Sequence, residues 1–191
     1  MSKRPVDQMH EDEWRKSEVS RRIFVLGTAR SGTTALAQAL MSAIGGFQYG
    51  ESAVLPMLQR LINAEERYFN EFGDDYVVDE RHLISKFPRK TLKSKLKRIF
   101  QEFYEEEFGD RDWVDKTANS EMIMATTLAA DLFPTARFVS VRRRGLDVVL
   151  SRQRKFPEST FRKNCEEWVT AVKSWESVRD RISGRYFEVE Q

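Results

Sequence analysis

Polar residues fill positions 1–20, and the first compact apolar run, RIFVLG (22–27), follows directly. Its β-branched and aromatic residues, ending at a glycine, predict a short buried strand. In TTALAQALMSAI (33–44) the apolar positions recur at helical spacing until Gly45 and Gly46 stop the run. FQYGES (47–52) reads as a second short strand with a loop, and a further helix is predicted near 54–72. No regular pattern emerges over 74–90. A helix is predicted over 91–109, with Leu92, Leu96, Ile99, Phe100 and Phe103 on one face and Gly109 at its end. DWVDK (112–116) reads as a strand, 119–132 as a helix ending at Phe133-Pro134, ARFVSVR (136–142) as a strand and 145–154 as a helix. From 161 to 182, Phe161, Cys165, Trp168, Val172, Trp175, Val178 and Ile182 recur at steps of three and four. That is an amphipathic helix packed on a core, or a surface for a homodimer. RYFEVEQ (185–191) closes the pattern as a strand.

Strands alternating with helices imply an α/β fold: a P-loop-like, mostly parallel sheet flanked by helices. Residues 1–20 form a polar arm and 21–191 the α/β domain. A parallel sheet is buried on both faces, so a covering helix is expected beyond the last strand. The sequence stops there, which gives the expectation that the C-terminal part of the domain is absent.

Composition narrows the class. With 40% hydrophobic residues and 13 Phe, the 191-residue chain suits one globular domain. A net charge of +2 gives no global field for nucleic acid, although local basic clusters can hold small anions. The single cysteine, Cys165, allows no internal disulfide. No apolar signal segment opens the chain, and no stretch reaches the ~20 apolar residues of a membrane span. A cytoplasmic location is expected.

The chemistry starts at GTARSGTT (27–34), a glycine-rich turn between strand and helix. Such a turn aims backbone N–H groups at one point, where the helix N-terminus adds positive potential. The spacing G-x-x-x-x-G fits a Walker A loop, but Thr33 stands where that loop carries lysine. Arg30 supplies charge from earlier in the turn, and Ser31, Thr33 and Thr34 supply hydroxyls. A second basic cluster, Arg142, Arg143 and Arg144, falls where a strand ends and a helix begins, with Ser151 about two turns on. In an open α/β sheet, ligands bind beyond the carboxyl ends of strands, so one ligand with separated phosphates could span both clusters.

These elements resemble sulfotransferases that use 3′-phosphoadenosine 5′-phosphosulfate (PAPS). RSGTT (30–34) matches that family's 5′-phosphosulfate loop. RRGLDVVLS (143–151) resembles its 3′-phosphate motif, with Arg144 and Gly145 in place of the usual Asp-Pro. WVDKT (113–117) resembles its Asp-Lys-x-Pro segment, and YGESAVLP (49–56) the Gly-Glu element of the branch that includes protein-tyrosine sulfotransferases and many bacterial relatives.

The resemblance implies PAPS as sulfuryl donor, no metal, and a hydroxyl acceptor on a sugar, lipid, small molecule or tyrosine. Glu51 is then the general base and Lys116 the cation at the leaving group. Arg30, Ser31, Gly32, Thr33 and Thr34 take the 5′-phosphosulfate, and Arg143 and Ser151 the 3′-phosphate. Asp115 and Lys116 also read as a simple strand-end charge pair. Asp147 reads as ordering its arginine neighbours, and His10 and His82 lie in no motif. Lys86, Arg89, Lys90, Lys93, Lys95, Lys97 and Arg98 form a basic stretch that reads first as a solvated face and second as an end that faces an acidic acceptor or guides anionic PAPS. Two alternatives stay open: a nucleotide or small-molecule kinase, which the missing lysine disfavours, and a catalytically silent phosphonucleotide-binding relative.

Overall fold

The computed structural model describes residues 20–71, 79–87 and 89–191. The expected polar arm lies outside them, apart from Ser20. Five parallel strands form one sheet: β1 (Arg22–Leu26), β2 (Phe47–Gln48), β3 (Trp113–Lys116), β4 (Arg137–Arg142) and β5 (Tyr186–Glu190). Their order is β2-β3-β1-β4-β5. The helices are α1 (Thr33–Ile44), α2 (Val54–Glu71), α3 (Arg89–Phe108), α4 (Ser120–Met124), α5 (Thr126–Leu132), α6 (Gly145–Lys155) and α7 (Phe161–Val178). Short 3-10 turns occupy Leu83–Lys86 and Arg179–Ile182. The expected α/β architecture with a parallel sheet is therefore the fold.

Strand alternation splits the buried residues between two faces. Phe24, Leu26, Trp113 and Phe138 join the larger core, which α2, α3, α4, α5 and α7 cover. Aromatic rings dominate it. Phe24 lies 5.2 Å from Trp113 edge-on and 5.3 Å from Phe138 in a stacked pair. Ile23, Val25, Val114, Val139 and Val141 face the other way, against Ala37, Leu36, Leu40 and Met41 of α1.

Local detail departs from the sequence pattern in three places. In α3 the buried stripe runs through Phe100, Tyr104 and Phe108, while Ile99 and Phe103 are exposed. The predicted helix 119–132 breaks at Ala125 into α4 and α5. There the Thr126 hydroxyl bonds back to the Met122 carbonyl, an arrangement that bends helices. And α7 ends at Val178, its last turn tightening into the 3-10 segment that buries Ile182.

The topology places the site. From β1 the chain runs out to β2, returns to β3, then crosses to β4 on the other side of β1. A sheet whose order reverses about one strand leaves a crevice beyond that strand's carboxyl end. The glycine-rich turn occupies that point.

Candidate active site

The turn is shaped by two glycines. Gly27 has φ 153° and Gly32 φ 96°, and a Cβ on Gly27 would sit 2.8 Å from Thr33 Cγ2. Ser31 is buried and its hydroxyl donates to the Thr28 carbonyl at 2.7 Å, so it braces the turn from inside. Thr33 is buried as well. Arg30 adopts φ 74°, a left-handed conformation that costs a non-glycine residue about 1–2 kcal/mol. It points the guanidinium across to α6, where Nε donates to Ser151 Oγ at 3.1 Å. From the end of β4, Arg143 Nη1 donates to the Arg30 carbonyl at 3.3 Å. The loop thus joins Arg143 to Ser151, two residues whose sequence separation alone did not bring them together. Among the described residues neither guanidinium meets a carboxylate, so the pair offers uncompensated positive charge to an anion.

The other side of the turn is built at the end of β3. Lys116 Nζ donates to Glu51 Oε1 at 2.8 Å and to Thr34 Oγ1 at 3.2 Å. The lysine side chain is 4% exposed and the Glu51 side chain 50%. A buried ammonium is costly without a partner, and here a carboxylate reaching in from solvent provides one. Of its three N–H donors two are used, which leaves one for a further anion. The Ala118 N–H donates to Glu51 Oε2 at 3.2 Å, so both carboxylate oxygens are held while each retains a lone pair.

Asp115 and Lys116, read from sequence as a charge pair, point to opposite faces of the strand. Asp115 is buried and takes two hydroxyls instead: Ser52 Oγ at 2.5 Å on Oδ1 and Tyr104 OH at 2.5 Å on Oδ2. Burial pushes the Asp115 carboxyl above its usual range, against the pull of those two hydrogen bonds. Burial, then the neighbouring Asp115 charge, raises the Tyr104 phenol well above its ordinary value. Ser52 and Tyr104 carried no signal of this role in the sequence, because hydroxyl partners of a buried carboxylate follow no spacing rule.

Beside the loop, on the Arg143 side, lies an open cavity of about 420 Å³. Thr28, Ser31, Arg143 and Glu190 line it together with Trp168, Val172 and Trp175 of α7. Lys116 and Glu51 stand outside it. The face of α7 read as core or dimer surface therefore also lines a cavity, and Gly145 gives Trp168 room, since a Cβ there would meet the indole at 3.0 Å. Arg144 pairs with Asp147 at 3.2 Å, as expected of an ordering carboxylate. Much of the basic stretch is engaged in ion pairs: Lys86 with Glu80, Lys93 with Glu66, Lys97 with Asp131 and Arg98 with Glu102. His82 lies 3.7 Å from Asp79, and His10 lies outside the described residues. Among the described residues no His, Cys, Asp and Glu group is arranged to hold a metal, and no helix is long and apolar enough to cross a membrane.

The molecule is thus a parallel α/β sheet with a glycine-rich turn at its switch point and a carboxylate–lysine pair beside that turn. The sequence model of the sulfotransferase family matches residues 22–190, and the chain belongs to that family. No curated protein matches it in sequence. Among solved structures, the sulfotransferase domain from the curacin biosynthetic pathway is similar at TM-score 0.56 and 18% identity. That likeness covers 91% of this chain and 68% of the other. The sulfotransferase domain from the Synechococcus PCC 7002 olefin synthase gives TM-score 0.54 and 19% identity, covering 92% and 68% respectively. At these identities the likeness concerns the fold.

Proposed function

We propose that the protein transfers the sulfuryl group of PAPS to a hydroxyl acceptor, with Glu51 as general base. The carrying observation is Lys116 Nζ, held between the Glu51 carboxylate and the Thr34 hydroxyl at the start of α1. It sets a proton acceptor and a cation side by side at the edge of a phosphate-type turn. The donor set fits a nucleotide with separated anionic groups: backbone, hydroxyls and Arg30 of the turn at one end, and Arg143 and Ser151 at the other, with neither guanidinium on a carboxylate among the described residues.

Bound PAPS supplies a sulfur open to in-line attack, with the 5′-phosphate as leaving group and negative charge growing on the bridging oxygen. Around that reaction each residue has a distinct task. Glu51 takes the proton of the acceptor hydroxyl, using the lone pairs that Lys116 and Ala118 leave free. Lys116 directs its third N–H toward the leaving oxygen, where a fixed cation counts most. Arg30, Gly32, Thr33 and Thr34 hold the 5′ end, with Ser31 keeping the turn in shape. Arg143 and Ser151 hold the 3′-phosphate, a group ATP lacks. The acceptor class remains a hydroxyl on a sugar, lipid, small molecule or tyrosine.

Replacing Glu51 by glutamine tests this reading. Consumption of PAPS across a panel of phenol, sugar and hydroxylated-lipid acceptors is expected to fall at least about 100-fold. Calorimetric affinity for adenosine 3′,5′-bisphosphate is expected to stay within about threefold. Equal loss of both would remove Glu51 from the role of base.

A further inference from the structure

Two consecutive residues of one turn grip two consecutive residues at the end of β3. Glu51 takes Lys116 on one face of the sheet, and Ser52 takes Asp115 on the other. Backbone bonds fix the same register: Ser52 N–H donates to the Lys116 carbonyl at 3.3 Å and Ala53 N–H to Thr117 Oγ1 at 2.9 Å. A slip of one residue would break all four links. The turn also holds Ala53 at φ 53°, a left-handed conformation that a non-glycine residue keeps only where its surroundings over-determine it.

Asp115 is the fixed point of this arrangement. It is 2% exposed, lies within a strand paired on both sides, and has its second oxygen bound by Tyr104. Tyr104 is itself immobilised, its ring 5.4 Å from Trp113, 5.1 Å from Phe133 and 5.7 Å from Phe108. Glu51, by contrast, is half exposed, and its own contacts are one lysine and one N–H. An exposed carboxylate on a turn gains a defined position only through the rigid element to which that turn is tied.

We propose that Asp115 is a positioning residue: through the Ser52 hydroxyl it locks the 51–53 turn to the aromatic core and so sets where the Glu51 carboxylate stands beside Lys116. Tyr104 is the strut that keeps Asp115 aimed at Ser52. The catalytic consequence rests on the reading of Glu51 as base, whereas the positioning itself does not.

The test uses the full chain with four substitutions: Asp115→Ala, Asp115→Asn, Ser52→Ala and Tyr104→Phe. Three readouts are taken: the carbon-13 resonance of the Glu51 carboxyl, calorimetric affinity for adenosine 3′,5′-bisphosphate, and turnover of PAPS with 4-nitrophenol. Ser52→Ala leaves the Asp115–Tyr104 bond in place, so it reports on the link even where Asp115→Ala fails to fold. The expected result is a displaced or broadened Glu51 resonance in Asp115→Ala and Ser52→Ala. Turnover falls about tenfold or more in both, with bisphosphate affinity within about threefold. Asp115→Asn keeps a hydrogen-bonding shape and is expected to hold wild-type resonance and turnover within about threefold, with Tyr104→Phe intermediate. An unmoved Glu51 resonance in both Ser52→Ala and a folded Asp115→Ala overturns the proposal. If the wild-type protein neither binds the bisphosphate nor consumes PAPS, the functional reading fails, and the Glu51 resonance alone still decides the positioning.

Discussion

The two sides of the glycine-rich turn are built on opposite electrostatic plans. On the β3 side, Lys116 is buried and compensated by the Glu51 carboxylate, Asp115 is buried and held by two hydroxyls, and only Glu51 reaches solvent. On the β4 side, Arg30 and Arg143 contact a hydroxyl and a carbonyl and carry no carboxylate among the described residues. Buried, compensated charges are held in one geometry and feel little salt. Exposed guanidiniums with spare donors are adaptable and attract anions from a distance. In the proposed function the β3 side is the place for chemistry and the β4 side the place for capture.

Substitution can break that contrast. Removing the buried cation, Lys116→Met, is expected to give the largest effect, a fall in kcat of about 10²–10³-fold, read from PAPS turnover. Bisphosphate affinity changes much less. Arg143→Ala is expected to weaken adenosine 3′,5′-bisphosphate about 10- to 100-fold while leaving 5′-AMP nearly unchanged, measured by calorimetry. Raising ionic strength should weaken the bisphosphate in the same direction, through the β4 side.

A smaller effect is expected in stability. The Asp115 carboxyl titrates above its ordinary value of 3.8, chiefly because burial disfavours the anion. The folded state therefore binds this proton more tightly than the unfolded chain. That contribution is fully present below 3.8 and is lost as pH rises through the raised folded value. Denaturant titrations of Asp115→Asn against wild type should show a difference that shifts in favour of the asparagine over that window and is constant above it. The smallest effect is expected at Arg144, whose exposed pair with Asp147 lies on the helix surface. Arg144→Ala should change turnover and bisphosphate affinity by less than about threefold.

The sequence exposed the capture side more fully than the chemical one. Strands β1, β3, β4 and β5 and the turn could be placed because a buried parallel strand is a short β-branched or aromatic run and a phosphate-type turn needs glycines at fixed spacing. Arg30 and Arg143 stood out as basic groups at element ends and Ser151 as a hydroxyl about two turns into the next helix, although only the fold brings them together through Arg30. On the other side Glu51 and Lys116 came from a family resemblance. Asp115 looked like a partner for Lys116, because adjacent residues in sequence suggest a pair that strand alternation forbids. Tyr104 lies eleven positions upstream, on a helix whose apolar stripe was read one step to the side. Counting Ile99 and Phe103 as core gave Tyr104 no inward role, yet Tyr104 is buried and Phe103 is exposed. The break at Ala125 was equally silent, since it depends on a hydroxyl back-bonding within an otherwise good helical pattern.

The most direct measurement is calorimetric titration of the wild-type protein with adenosine 3′,5′-bisphosphate without metal, set against ATP with Mg²⁺ and against 5′-AMP. Adenosine 3′,5′-bisphosphate is expected to bind without metal and more tightly than ATP with Mg²⁺, and at least about tenfold tighter than 5′-AMP because Arg143 and Ser151 meet the 3′-phosphate. Preference for ATP with Mg²⁺, or equal affinity for bisphosphate and 5′-AMP, would contradict this.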